Sequence, residues 1–172
     1  MINIEGNLKK HINYIVFLIL ITFFHVTVLD FLKIQDISPD LFTILAVWIT
    51  LKEGAQTGLI YAFFIGLYFD IIFVDIIGTN ALAKTATAFT SSFFYKEGNE
   101  HKITKNYKFI LVVLLATFIH NLIYYFFYIR TSEQNFIVFY LKYGIASTLY
   151  TAFFASLLFL IQIPSNRIKI DK

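Results

Sequence analysis

Long apolar runs broken by short polar stretches dominate this chain. The first covers residues 12–29 and stops at the polar segment DFLKIQDIS; others cover 39–51, 54–74, 79–95, 107–129 and 136–163. A bilayer core about 30 Å thick takes roughly 20 helical residues to cross. The pattern therefore predicts an all-α membrane protein, a compact bundle of about six transmembrane helices. The runs at 39–51 and 79–95 are short for a crossing. The first of these borrows residues 34–38 or sits tilted among neighbours, and a count of four or five spans stays open.

The third run carries the most specific pattern. GLIYAFFIGLYFD places Gly58, Ala62, Gly66 and Asp70 four residues apart, so in a helix the three small residues form a slowly drifting stripe that ends in a carboxylate. Small residues let helices approach closely in lipid, where tight packing replaces the hydrophobic drive to associate. Leucine at position 66 is predicted to force the helices apart, and alanine to be mild. An ionisable residue at membrane depth is costly, which makes Asp70 a candidate functional residue.

Composition narrows the class. The chain of 172 residues is 58% hydrophobic and 15% charged, with 21 Phe, 11 Tyr and two Pro, whereas soluble domains carry about 25% charged residues. Its length fits a single integral membrane domain over residues 1–172. The first run lacks a small-residue cleavage site, so it is read as a retained span rather than a removable signal peptide. With no cysteine, disulfides, thiol catalysis and Cys-ligated metals are excluded.

Charge distribution sets the predicted orientation. With the N-terminus inside, Lys9, Lys10, Lys52, Lys96, Lys102, Lys105, Lys108, Arg167, Lys169 and Lys172 fall on the cytoplasmic side. Lys33 and Arg130 fall outside, and Lys84 and Lys142 lie a few residues into spans at their outer ends. Even with all four counted outside, the split is ten to four, as the positive-inside rule requires. Both termini are predicted cytoplasmic, with Asp30 and Asp36 in a mildly acidic outer loop. The basic segment KEGNEHKITKNYK holds its loop inside and touches anionic lipid headgroups; a docking site for a cytoplasmic partner is the sharper reading. Nucleic acid is not expected as a partner, since the positive charge is scattered over short segments with no soluble module to organise it.

Candidate chemistry is sparse. Ser-Pro-Asp at 38–40 reads as a helix start, Pro39 in the first turn and Ser38 or Asp40 satisfying the free amides; a recognition surface including Asp40 is the alternative. Asp70 and Lys84 flank the short connection at 75–78 and fall at similar depth, about 8–9 Å from the turn, so an ion pair between them is expected, with a proton relay as the other reading. The stretch NALAKTATAFTSS is small and polar, fitting a helix packed on several sides or a hydrophilic cavity. Thr117, His120, Asn121, Tyr124 and Tyr128 share a helix face and suggest an interhelical hydrogen-bond seam. The four histidines, His11, His25, His101 and His120, lack metal-ligand spacing, and no metal or cofactor is expected. No HExxH, nucleophile elbow or phosphate loop occurs. The remaining enzymatic reading, Asp70 with Asp30 or Asp75 as an acid/base pair, has nothing in the sequence to force convergence.

Residues 39–85 resemble the rod shape-determining protein MreD family. The likeness rests on Pro39 and Asp40, then Gly66, Leu67 and Asp70, then Gly78, Ala81 and Leu82, in that order and spacing. Ala62 stands where a glycine is common, which still permits close packing. The resemblance implies a non-enzymatic, multi-pass protein of the bacterial inner membrane that belongs to the cell-elongation and peptidoglycan-synthesis assembly. It implies binding to the periplasmic scaffold MreC, and coupling to MreB filaments and the RodA–transpeptidase synthase. The family is also related in fold to substrate-binding subunits of energy-coupling-factor transporters, so the alternative is a vitamin-type binding subunit. Such a binder needs a cavity of converging polar groups; a scaffold needs a packed interior and an apolar lateral groove, and the abundance of Phe and Tyr favours filling.

Overall fold

The computed structural model describes residues 4–29, 31–35, 37–98, 103–104, 106–130 and 135–162, with the side chains of 4–7, 161 and 162 aside. Asp30, Asp36, His101, Lys102, Lys105, Arg167, Lys169 and Lys172, which enter the charge reading, lie outside the described residues, as does the end of the sixth run at Ile163.

The described residues are 82% helical, with no strand among them. Helix α1, Ile4–Phe24, passes into a π-helical turn, His25–Leu29. Then come α2 (Leu41–Glu53), α3 (Ala55–Ile72), α4 (Thr79–Ser92) and α5 (Lys108–Ile129). Helix α6 starts as Phe136–Phe139, runs through a second π-helical turn at Tyr140–Gly144 and continues as Ile145–Gln162. Among the described residues, four helices are long and apolar enough to cross a membrane: Leu8–Leu29, Ala55–Ile72, Lys108–Ile129 and Phe136–Leu160. The other two, α2 and α4, have 13 and 14 residues and reach only about 20 Å.

Those two short helices form the centre of the bundle. Helix α2 packs against all five others and buries ten of its 13 residues. A helix surrounded by protein can be apolar all round without meeting lipid, so its length need not match the bilayer. It feeds two cores. On one side Leu41, Ile44, Val47 and Leu51 meet Phe109, Val112, Val113 and Ala116 of α5, with Leu29 and Ala155. On the other Phe42, Leu45, Ala46 and Ile49 meet Tyr14, Ala62, Ile65 and Ala88.

The small-residue stripe of α3 is filled by neighbouring backbone. A Cβ on Gly58 would lie 2.7 Å from Thr50 Cα of α2, and one on Gly66 would lie 2.4 Å from Asn80 O and 2.5 Å from Ala81 Cα of α4. Ala62 between them is fully buried. Because the atoms at Gly66 are backbone, a methyl group has nowhere to go; the expectation that alanine is mild there is corrected. In α4 the hydroxyls turn back on their own helix: Thr85, Thr87, Thr90 and Ser91 each donate to the carbonyl four residues earlier, at 2.7–3.0 Å. That local bonding satisfies polar groups inside a packed helix and lets α4 sit between α2, α3 and α5.

Candidate functional site

The site grows from the start of α2. Asp40 is its N-cap: Oδ1 accepts from the Thr43 amide at 2.8 Å and Oδ2 from the Thr43 hydroxyl at 2.5 Å. Pro39 therefore stands just before the cap rather than in the first helical turn, a correction to the sequence reading. The Asp40 amide donates to Thr151 Oγ1 of α6 at 3.0 Å. Into this cap reaches Lys84 of α4, its side chain fully buried, with Nζ 2.6 Å from Asp40 Oδ2. Nζ also lies 3.3 Å from Thr43 Oγ1, 3.4 Å from Asn80 Oδ1 and 3.2 Å from His120 Nε2, and 4.9 Å above the Phe69 ring. A buried ammonium is tolerable only when paired and hydrogen-bonded; here one carboxylate and several polar atoms surround it.

The network continues through α5 into α6. An ammonium can only donate, so His120 Nε2 accepts, leaving the ring proton on Nδ1, 3.4 Å from Asn121 Oδ1. Asn121 Nδ2 then donates to Gly144 O at 3.1 Å and Thr148 Oγ1 at 2.9 Å. Gly144 belongs to the π-helical turn of α6, and its carbonyl also accepts from the Thr148 hydroxyl at 2.7 Å. One polar chain thus joins α2, α4, α5 and α6.

Asp70 makes a separate junction. Its carboxylate accepts the amides of Gly78 at 2.8 Å, Asn80 at 3.1 Å and Ala81 at 3.3 Å, capping the start of α4, whose own N-cap Gly78 has no side chain. A carboxylate is favoured there both by the unpaired amides and by the helix dipole. The expected Asp70–Lys84 pair does not form: Asp70 is occupied by α4 backbone, and the long lysine reaches Asp40 instead. Nor does Asp70 pair with Asp75 for acid/base chemistry. Asp75 Oδ2 accepts from Asn80 Nδ2 and the Tyr124 hydroxyl, both at 2.9 Å; Asp30 lies outside the described residues.

The face of α5 expected to bond across helices does so at His120, Asn121 and Tyr124. Tyr124 also stacks between His120 and Tyr128, with ring centroids 6.0 and 5.8 Å away. Thr117 differs: its Oγ1 is buried without a hydrogen bond. Beside the network lies a cavity of about 200 Å³, lined by His25, Ser38, Asp40, His120, Tyr124 and Ser147 among others. Among the described residues no three His, Asp or Glu side chains are grouped to hold a metal ion.

The model of the family described as rod shape-determining protein MreD matches residues 9–165 of the chain. The chain belongs to the MreD family. Comparisons with curated proteins and with solved structures give no match. MreD proteins determine rod shape and are not a known enzyme family, and the motif residues found here hold helices together. Gly66 seats α3 on Ala81, Asp70 caps α4 through Gly78 and Ala81, and Asp40 ties α2 to α4 through Lys84. The Asp40–Lys84 link is the feature that sequence reasoning missed. Its signal was present: a lysine inside a span needs a carboxylate, and Asp40 opens the neighbouring run.

Proposed function

We propose that this chain is a non-enzymatic scaffold of the cell-elongation assembly, held in the bacterial cytoplasmic membrane with both termini inside. In this reading it binds an MreC-like periplasmic protein and helps couple it to MreB filaments and the RodA–transpeptidase synthase. The observation that carries the reading is the state of Asp40, Asp70 and Lys84. Each is occupied in holding one helix to another, so the bundle has its outer surface to act with. On that surface Leu8, Ile12, Ile15 and Ile19 of α1 are all about half exposed and share a helix face. This face is the candidate contact for a partner's membrane helix. A vitamin-binding role has less support, because the polar cavity of about 200 Å³ is below the roughly 300–1,000 Å³ of ordinary ligand pockets.

Deleting the gene in a rod-shaped host tests the proposal: cells should round up, and mild-detergent purification of the tagged protein should recover an MreC-like partner. Ile12→Trp combined with Ile19→Trp should lose that partner at unchanged protein level. Recovery of paired ATPases with a transmembrane coupling protein would instead mark a transporter subunit.

A further inference from the structure

Helices α1 and α6 stand apart over α2 and leave an apolar groove of about 670 Å³. Phe17, Leu20 and Phe24 form one wall, Phe154, Leu157 and Leu158 the other, and Ile44 and Trp48 lie between them. From Leu41 to Trp48 the groove follows α2 for about 10 Å, well short of the roughly 30 Å bilayer core and on the scale of one leaflet.

Two features distinguish possible occupants. Membrane helices dock through Gly, Ala, Ser or Thr, which permit close approach and interhelical hydrogen bonds; every side chain lining this groove is Leu, Ile, Phe or Trp. The walls therefore suit a flexible chain that moulds to bulky groups better than a second helix. The groove also has a cation at one end. Lys52 Nζ sits 4.6 Å over the Trp48 ring and 5.6 Å over that of Tyr14. Exposed Lys9 and Lys108 lie at the same end of the bundle, Lys108 next to the groove residue Phe109. A tryptophan at a groove mouth beside lysine matches the level where membrane interfaces place aromatic and basic side chains.

We propose that this groove is a binding site for an anionic phospholipid, one acyl chain lying along α2 between α1 and α6 and the headgroup meeting Lys52. A scaffold was expected to offer an apolar lateral groove to its partner; here the groove goes to lipid, and the partner keeps the face of α1 that carries Leu8, Ile12, Ile15 and Ile19. A lysine at the membrane surface attracts anionic headgroups, which selects among lipids that share the same tails.

Trp48 is the sole tryptophan, so its fluorescence reports the groove in the unmodified chain. The intact protein is reconstituted in vesicles containing either brominated phosphatidylglycerol or brominated phosphatidylcholine at equal mole fraction. The anionic lipid should quench Trp48 at least twofold more strongly. Lys52→Gln should level the two lipids, while Lys52→Arg should keep the preference. Circular dichroism and the Trp48 emission maximum verify that each variant is folded. Equal quenching in the unmodified protein would overturn the proposal, as would a preference that survives Lys52→Gln. Absence of quenching by either lipid, with a co-purified protein seated in the groove, would assign it to a partner helix instead.

Discussion

Helices α1 and α4 show opposite relations between composition and place. Helix α1 is apolar over most of its length, yet from residue 8 onward it and its π-helical turn bury only Tyr14 and Leu29. Helix α4 is rich in Thr, Ser and Ala, too polar and too short to stand among the candidate spans, yet buries Thr79, Asn80, Ala81, Ala83, Lys84, Thr87, Ala88 and Ser91. In a soluble domain this pattern would be reversed. Within a bilayer the solvent is hydrocarbon, so apolarity marks what faces outward, and polarity is tolerated where protein groups can satisfy it. The attachments differ accordingly. Helix α4 is fixed by a buried ion pair, a tertiary cap and a glycine-to-backbone contact; α1 is held by a polar clasp near its start, one hydroxyl contact and an aromatic cluster around His25.

The largest effect is expected where the interior charge is broken. Lys84→Met leaves Asp40 without its ammonium and should cost about 3–5 kcal/mol, the range for one member of a buried pair, read as unfolding in denaturing detergent. Asp40→Asn combined with Lys84→Met should recover part of that loss. The cycle pairing Lys84→Met with Asp70→Asn should come close to simple addition. Strong coupling to Asp70 and none to Asp40 would mean that α4 is tied to α3 by charge, not to α2.

Next comes the glycine contact. Gly66→Ala pushes a methyl into α4 backbone and should cost about 1–3 kcal/mol, as overpacking does. Gly78→Ala provides the contrast: nothing lies within 4 Å of its added Cβ, but its φ is +94°. It should lose only about 1 kcal/mol, from the left-handed backbone alone. If Gly66→Ala proved the milder of the two, close approach of α3 and α4 would not be what holds α4 in place.

The sequence showed the six helices and their apolar runs because hydropathy depends on local composition, and it showed the tight α3 packing because Gly58, Ala62 and Gly66 recur at helical spacing. Partner choice among the charges was less legible. Depth along antiparallel helices places Asp70 and Lys84 level, but depth is one coordinate; which way each side chain points around its helix decides the pair. Nor does depth reveal that the amides of Gly78, Asn80 and Ala81 compete for Asp70. The π-helical turns at His25–Leu29 and Tyr140–Gly144 leave no compositional mark, because an inserted backbone residue looks like any other in a hydrophobic run.

The smallest effect is expected at the clasp of α1, and it tests whether α1 is energetically separable from the interior. Glu53 at the end of α2 accepts from Tyr14 and pairs with Lys10, while His11 meets the Tyr61 hydroxyl of α3 at 2.5 Å. The Lys10 side chain is 37% exposed and that of Glu53 8%; a pair with one partner open to solvent falls near the upper end of the about 0–1 kcal/mol that exposed pairs contribute. Glu53→Gln keeps a hydrogen-bond acceptor for Tyr14 and removes only the charge, so global unfolding should shift by no more than about 1 kcal/mol. Amide hydrogen exchange offers the sharper reading. Exchange should quicken in the first turns of α1 and stay unchanged in α2, α4 and α5, because local opening tracks the contacts that a segment itself makes. Quickening spread equally through α2 and α4 would show that α1 and the interior open as one unit, and the contrast between them would then be of composition alone.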